Sequence, residues 1–233
     1  MNNVITNVIK ALEGKMEGFP LGGGTALSLF YFQHRLSYDL DFFNQEFSRK
    51  EIEKIILELS SALKANIELT AEMSKGNRAR ILFYNLTVDE KNSLKIDFIE
   101  DLFRRIGIVN VVNGIPVLSL EDIYLRKIYA VCGVSEMLDD AGRKIFLGGR
   151  QEVKDFFDLF FLSRTFMSLS LFASRFCSVP ERESIITWYR KYNRSEMKIG
   201  LSGIQTGKEV SYQEMERHFR DEVEKLIRHE VEE

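Results

Sequence analysis

The sequence predicts an α+β fold, with a mixed or antiparallel sheet in the N-terminal half and a mostly helical C-terminal half. Three observations predict it. Alternating β-branched and aromatic residues cluster at 67–73, 79–88 and 94–100. Apolar residues at helical spacing flank these runs, at 4–12 and 52–63. Beyond Pro116 the apolar pattern is helical almost throughout. The division reads as 1–110 for the sheet-containing core and 111–233 for a mainly helical domain, with the boundary near 105 to 116.

Val4, Ile5, Val8, Ile9 and Leu12 make the first helix amphipathic. Pro20 and Gly22-Gly23-Gly24 stop it, because glycine favours turns and close approach by a ligand over helix. Helix resumes through ALSLFYFQH, with Thr25 placed to cap it. A strand is expected around Asp39 and Asp41. Ser48 and Glu51 then have capping-box spacing ahead of Ile52, Ile55, Ile56, Leu59 and Leu63. The strands IELTAEM, ARILFYNLTV and LKIDFIE follow, the last two joined by a turn from Asp89 to Ser93. In the second half, helices are expected through EDIYLRKIYAVC after Ser119, EVKDFFDLFFLSRTF, ERESIITWYRKY and YQEMERHFRDEVEKLIRHEVEE. Ser211 and Glu214 repeat the capping-box spacing, and 198–211 reads as a loop. Met215, Phe219, Val223, Leu226 and Ile227 give the final helix an apolar face that docks on a core or joins a partner.

At 233 residues, the chain can bury a sizeable core as one large domain or two small ones. With 32 basic and 35 acidic residues, no global positive field advertises nucleic acid, although a local patch suffices for recognition. Cys132 and Cys177 make no disulfide framework, which favours a reducing cytoplasm. The N-terminal segment has neither a basic start nor a long apolar run, so no secretory signal is expected. The apolar stretch 156–162 is too short for a bilayer, and no membrane partner is expected.

The densest chemistry lies in LGGGTALSLFYFQHRLSYDLDFF, residues 21 to 43. On a strand, Asp39 and Asp41 would point their carboxylates to one face and Leu40 and Phe42 to the other. A hard cation such as Mg²⁺ relieves the repulsion and commonly also binds substrate phosphates. Asp97, sharing a strand face with Lys95, offers a third carboxylate from a neighbouring strand. The plain alternative is a solvent-facing strand edge. Backbone N–H groups at the glycine turn suit phosphate oxygens, and Ser37 has a hydroxyl to offer nearby.

Asp155 and Asp158 lie i,i+3 on a helix whose remaining circumference is aromatic or aliphatic. Two readings fit: a buried pair matched to a cation, with Asp158 supporting Asp155, or the single solvated stripe of a core helix. Lys127 divides in the same way, between holding a triphosphate and lying on the surface, while Arg126 points elsewhere. Arg143, Lys144, Arg150 and Lys154 form a basic strip suited to RNA or a triphosphate, or merely a solvated face. His34 reads first as a packing residue. The glycine run lacks the Walker A ending and the Rossmann spacing, no zinc-ligand set occurs, and no nucleophile elbow supports a serine hydrolase.

These blocks, GGGTALSLFYFQHRLSYDLDFF, LKIDFI, SLEDIYLRKIYAV and KDFFDLF, resemble the nucleotidyltransferase AbiEii/AbiGii toxin family of the DNA-polymerase-beta-like superfamily. The resemblance covers most of residues 20–162. It implies a nucleotidyltransferase-like core, with the helical domain completing the active cleft. It assigns Gly23, Gly24 and Thr25 to the nucleotide-binding turn and Asp39, Asp41 and Asp97 to Mg²⁺ or Mn²⁺. Lys127 and Asp155 become catalytic, and Ser37 and Asp158 supporting. Gly23-Gly24 is a modest departure from the family's usual turn. Such proteins resemble toxins that move a nucleotide from a nucleoside triphosphate to an acceptor, tRNA ends among them, with a cognate antitoxin as partner. A transferase for protein or small-molecule hydroxyls, and a catalytically idle binding protein, are the alternatives.

Overall fold

A computed structural model describes residues 2–74, 79–87, 93–138 and 144–232. The expected turn around Asp89 and the basic residue Arg143 lie outside the described residues. The chain divides into two compact units: residues 1–33 with 37–119, and residues 34–36 with 120–233.

In the first unit, α1 (Asn2–Leu12) and α3 (Arg49–Leu63) pack together, α1 burying Ile5, Val8 and Leu12 and α3 the stripe Ile52, Ile55, Ile56 and Leu59. Ser48 Oγ caps α3 by accepting from Glu51 N at 3.4 Å, as the sequence predicts. Among the described residues, seven strands form one sheet: β1 (Leu21–Gly22), β2 (Leu40–Asn44), β3 (Ile67–Met73), β4 (Ile81–Thr87), β5 (Ser93–Glu100), β6 (Asn110–Val112) and β7 (Ile115–Val117). Their order is β3-β4-β5-β2-β1-β7-β6. The β2/β5 and β1/β7 pairs are parallel and the rest antiparallel, so the sheet is mixed. Phe98 anchors the core, stacked on Phe42 at 5.5 Å and edge-on to Phe19 and Tyr84.

The β6/β7 hairpin escapes the sequence reading. Its strands are three residues each, too short for periodicity, but its turn has the Asn-Gly signature: Asn113 and Gly114 take φ of 49° and 72°. Because β7 pairs with β1, the first unit runs on to Ser119.

Thr25 does not cap a helix, contrary to expectation. Helix α2 (Gly23–Ala26) starts at the glycines, with Gly22 as its extended N-cap, and Thr25 lies inside it, buried. The helix continues as a π-type segment, Leu27–Phe32, and stops at Gln33, whose φ is 49°.

The second unit contains α4 (Leu120–Cys132), a hairpin of β8 (Gly133–Leu138) and β9 (Lys144–Gly148), and the helices α5 (Val153–Thr165), α6 (Leu169–Phe176), α7 (Val179–Lys191), α8 (Arg194–Gly200) and α9 (Tyr212–Glu232). Helix α8 occupies part of the expected 198–211 loop. Phe156 on α5 gathers Trp188, Tyr192, Tyr212 and Phe219 at centroid distances of 4.8–6.4 Å. Met215, Phe219, Val223 and Leu226 are buried, so the apolar face of α9 belongs to this unit's own core. Among the described residues, no single helix is long and apolar enough to cross a membrane.

Candidate active site

The expected site residues fall into two groups, one in each unit. In the first, β1 delivers the chain to Gly23, whose φ of +65° suits glycine. A Cβ built there would lie 2.2 Å from Asp41 Oδ2, so the carboxylate sits directly against the bare glycine backbone. Gly24 follows as a buried residue of α2. Thr25 Oγ1 donates to the carbonyl oxygen of Asp39 and lies 2.9 Å from Ser37 Oγ. Since the threonine has one hydroxyl proton, the serine donates in that second contact. Thr25 thus ties the glycine turn to the backbone that leads into β2.

Asp39 lies one residue before β2 rather than within it, while Asp41 is the second residue of the strand, between the buried Leu40 and Phe42. Asp97 on β5 is in register with Asp41 across the parallel pair. Side chains at paired positions of adjacent strands project to the same face, so these two carboxylates are neighbours. Lys95 Nζ meets Asp97 Oδ2 at 2.7 Å. Partial burial opposes the Lys95 charge, but the Asp97 hydrogen bond and the fields of Asp97, Asp39 and Asp41 raise its pKa. Lys95 therefore lies in the field of all three carboxylates. The sequence carried this signal: opposite charges at i and i+2 of one strand share a face.

The donor chemistry suits a hard divalent ion, with carboxylate oxygens and a glycine cradle that admits Asp41. Among the described residues, however, no three His, Cys, Asp or Glu side chains are grouped as metal ligands. Lys95 is the counter-charge in this arrangement.

The second group is a buried ion cluster. Asp155 and Asp158 are fully buried and Lys127 is 6% exposed, so the solvated-stripe and surface-lysine readings are both overturned. Two carboxylates facing an aromatic core need cations. Lys127 Nζ supplies one, at 2.6 Å from Asp155 Oδ1 and from Asp158 Oδ2. Arg150 adds a second cation to Asp155. Arg35 and His34 complete Asp158: Nε and Nη2 of Arg35 reach Oδ1 and Oδ2 at 2.6 and 2.8 Å, and His34 Nε2 lies 2.7 Å from Oδ1. His34 is buried, stacked on Phe157 and tilted against Phe161, in keeping with its packing role.

Burial opposes ionisation of both aspartates, but their cations prevail. Lys127 and Arg150 lower Asp155, while Lys127, Arg35 and His34 hold Asp158 well below the carboxylate range. Burial likewise opposes the Lys127 charge, and the two aspartates raise its pKa above the ordinary lysine value. Arg126 turns away, to Asp122 on its own helix. The partnership of residues 34 and 35 with 158 left no sequence signal beyond the bare need of a buried carboxylate for cations.

Solved structures similar to the chain include two from Helicobacter pylori. JHP933 from Helicobacter pylori has 18% identity, with 99% of this chain and 94% of that one covered and a TM-score of 0.57. A candidate nucleotidyltransferase from H. pylori has 17% identity, with 97% and 95% covered and the same score. At such identities the likeness is one of fold. No curated protein matches the chain. The family model of the nucleotidyl transferase AbiEii toxin of type IV toxin–antitoxin systems matches residues 10–231, and the chain accordingly belongs to this nucleotidyltransferase-like toxin family.

Proposed function

We propose that this protein moves a nucleoside monophosphate from a nucleoside triphosphate to the hydroxyl of a macromolecular acceptor, the tRNA acceptor end foremost, as a cytoplasmic toxin controlled by a cognate antitoxin. The observation that carries the reading is the in-register pairing of Asp41 with Asp97, with Asp41 against the bare backbone of Gly23. Asp39, Asp41 and Asp97 would hold Mg²⁺ or Mn²⁺. When bound, such an ion offsets charge on the phosphates and lowers the pKa of an attacking hydroxyl. Gly23 and Gly24, without side chains, would let the triphosphate approach the backbone N–H groups of the turn. Thr25 and Ser37 fix the approach to β2, and so the direction of Asp39. Asp158 holds Lys127 and the His34–Arg35 segment in place. Lys127 contributes positive charge for the triphosphate, and Asp155 orients it.

One observation favours a second reading, a catalytically idle nucleotide- or partner-binding protein: Lys95 already neutralises Asp97. The deciding experiment incubates the full chain with each of four α-³²P-labelled nucleoside triphosphates, Mg²⁺, bacterial RNA and protein extract. Asp41→Asn serves as control. Label on RNA, lost in the control, supports the proposal; label on protein identifies the other acceptor class. Turnover unchanged in both Asp39→Asn and Asp41→Asn would remove the carboxylates from the mechanism.

A further inference from the structure

Apart from both groups of site residues, the second unit has a pocket of about 400 Å³ between α8 and α9. Arg194 and Lys198 line it from α8, and Tyr212, Glu216, Arg217 and Arg220 from α9. Four cations face one carboxylate in a chain whose net charge is -3. Glu216 is engaged, accepting from the Tyr189 hydroxyl at 2.9 Å and lying 3.8 Å from Arg194. Among the described residues, Lys198 and Arg217 have no carboxylate partner. Arg220 lies 3.5 Å from the Asp221 carboxylate, which leaves Lys198 and Arg217 as the cations without a counter-ion, and an excess of positive charge gathered in a concavity makes an anion site.

The Arg194 guanidinium lies over the rings of Tyr192 and Tyr189, at 4.6 and 5.3 Å from their centroids. Its side chain remains 44% exposed, so a guanidinium resting on aromatic rings is still within reach of a second planar group. The floor is rigid, because Tyr192 and Tyr212 pack on Phe156 of the aromatic core and their hydroxyls lie 3.2 Å apart. Burial, then the hydrogen bond to Tyr212, pushes the Tyr192 phenol up, so the floor adds no negative charge.

We propose that this pocket binds single-stranded RNA, a base stacking on Arg194 and the backbone phosphates meeting Lys198, Arg217 and Arg220. Stacking platforms beside cationic tracks are how proteins hold single strands. An acidic protein or a lipid headgroup would use the charge but leave the stacked guanidinium without a role. The volume accommodates a nucleotide-sized group. As the docking point of an acceptor, the pocket rests on the transferase reading; as a binding site, it is tested separately.

The test is fluorescence anisotropy of the full chain with a labelled single-stranded oligoribonucleotide of about twelve nucleotides, titrated at several NaCl concentrations. The K198A/R217A double variant should bind about tenfold or more weakly, and its log–log salt slope should fall by about 1.4, two released counterion sets at ~0.7 each. Arg194→Lys keeps the charge and loses the plane, so it should weaken binding about threefold or more while leaving the slope unchanged. These side chains are exposed, and unchanged circular dichroism and melting midpoints will show that the variants fold. Wild-type affinity in the double variant would overturn the proposal. So would an equal loss for an oligo-aspartate peptide or for phosphatidylserine vesicles, which carry charge without bases. Binding with the expected slope, but no transfer from any triphosphate, would sink the transferase reading and leave the pocket standing. Transfer to RNA with undiminished binding in the double variant would do the reverse.

Discussion

Arg35 grips Asp158 with two guanidinium nitrogens, at 2.6 and 2.8 Å, across 123 positions of sequence. The two-pronged geometry depends on a planar fork that lysine lacks. Arg35→Lys should lower unfolding free energy by about 2 kcal/mol, and Arg35→Ala by about 3 kcal/mol. Urea denaturation at neutral pH reads both, and equal stability of the lysine variant and wild type would reduce the grip to a single contact.

Lys127 balances two buried carboxylates at once. Replacing it with Met keeps the volume but takes the shared ammonium from both carboxylates, leaving Asp155 to Arg150 and Asp158 to Arg35 and His34, so Lys127→Met should cost about 3 kcal/mol. Adding Asp155→Asn should cost less in that background than alone, because the buried pair it would break is already gone. A double-mutant cycle that proves additive would show that the two residues act independently.

The same cluster sets an acid limb. Asp158 and Asp155 have folded-state pKa values lowered from 3.8, so the unfolded chain takes up their protons first as the pH falls. Their stabilisation is complete above the unfolded value and disappears as the pH drops through the folded ones. Lys127 has the opposite sign: raised from 10.5, it contributes below that value and loses its contribution above it. Stability should be level between about pH 5 and 9 on this account and fall below about pH 4. In Asp158→Asn the acid limb should be shallower in chemical-denaturation midpoints taken from pH 2 to pH 7. A limb as steep as that of wild type would place its origin elsewhere.

Gly23→Ala meets two obstacles, a φ of +65° and an Asp41 oxygen 2.2 Å from the new methyl. The backbone conformation alone should cost about 1–2 kcal/mol, and Asp41 must move aside. Nucleotide transfer should therefore fall further than melting temperature, as an activity assay beside calorimetry will show. Full activity in a folded Gly23→Ala protein would mean that the position of Asp41 is immaterial.

Lys95 competes with any divalent ion for Asp97. Lys95→Met should tighten Mn²⁺ binding about threefold or more, measured by electron paramagnetic resonance of free Mn²⁺, since the carboxylates lose their built-in cation. Unchanged or weaker Mn²⁺ binding would argue against these carboxylates as metal ligands.

Elements long enough to show a period were legible in the sequence. Helix α3 came with its Ser48 cap, α9 with its buried stripe, and β3 to β5 as alternating runs. The short pairings were not, because β1 and β7 take their identity from each other across the sheet rather than from their own residues. In the candidate site, the Asp41 face was readable because strand geometry is local. Which cations would neutralise Asp155 and Asp158 was not readable, since helix periodicity says that a side chain is buried and nothing about what it meets. Arg150 stood in a basic strip that looked solvated, and its engagement with Asp155 follows from its place just before α5.

The His34–Leu36 segment interrupts the first unit's chain and is counted with the second. No single cut can therefore separate this protein into its two units. A gene fragment encoding 120–233 would lack Arg35 and His34 and would leave Asp158 buried with Lys127 as its remaining cation. Swapping the helical half for that of a relative therefore requires exchanging a tripeptide some eighty-five positions upstream of the junction as well.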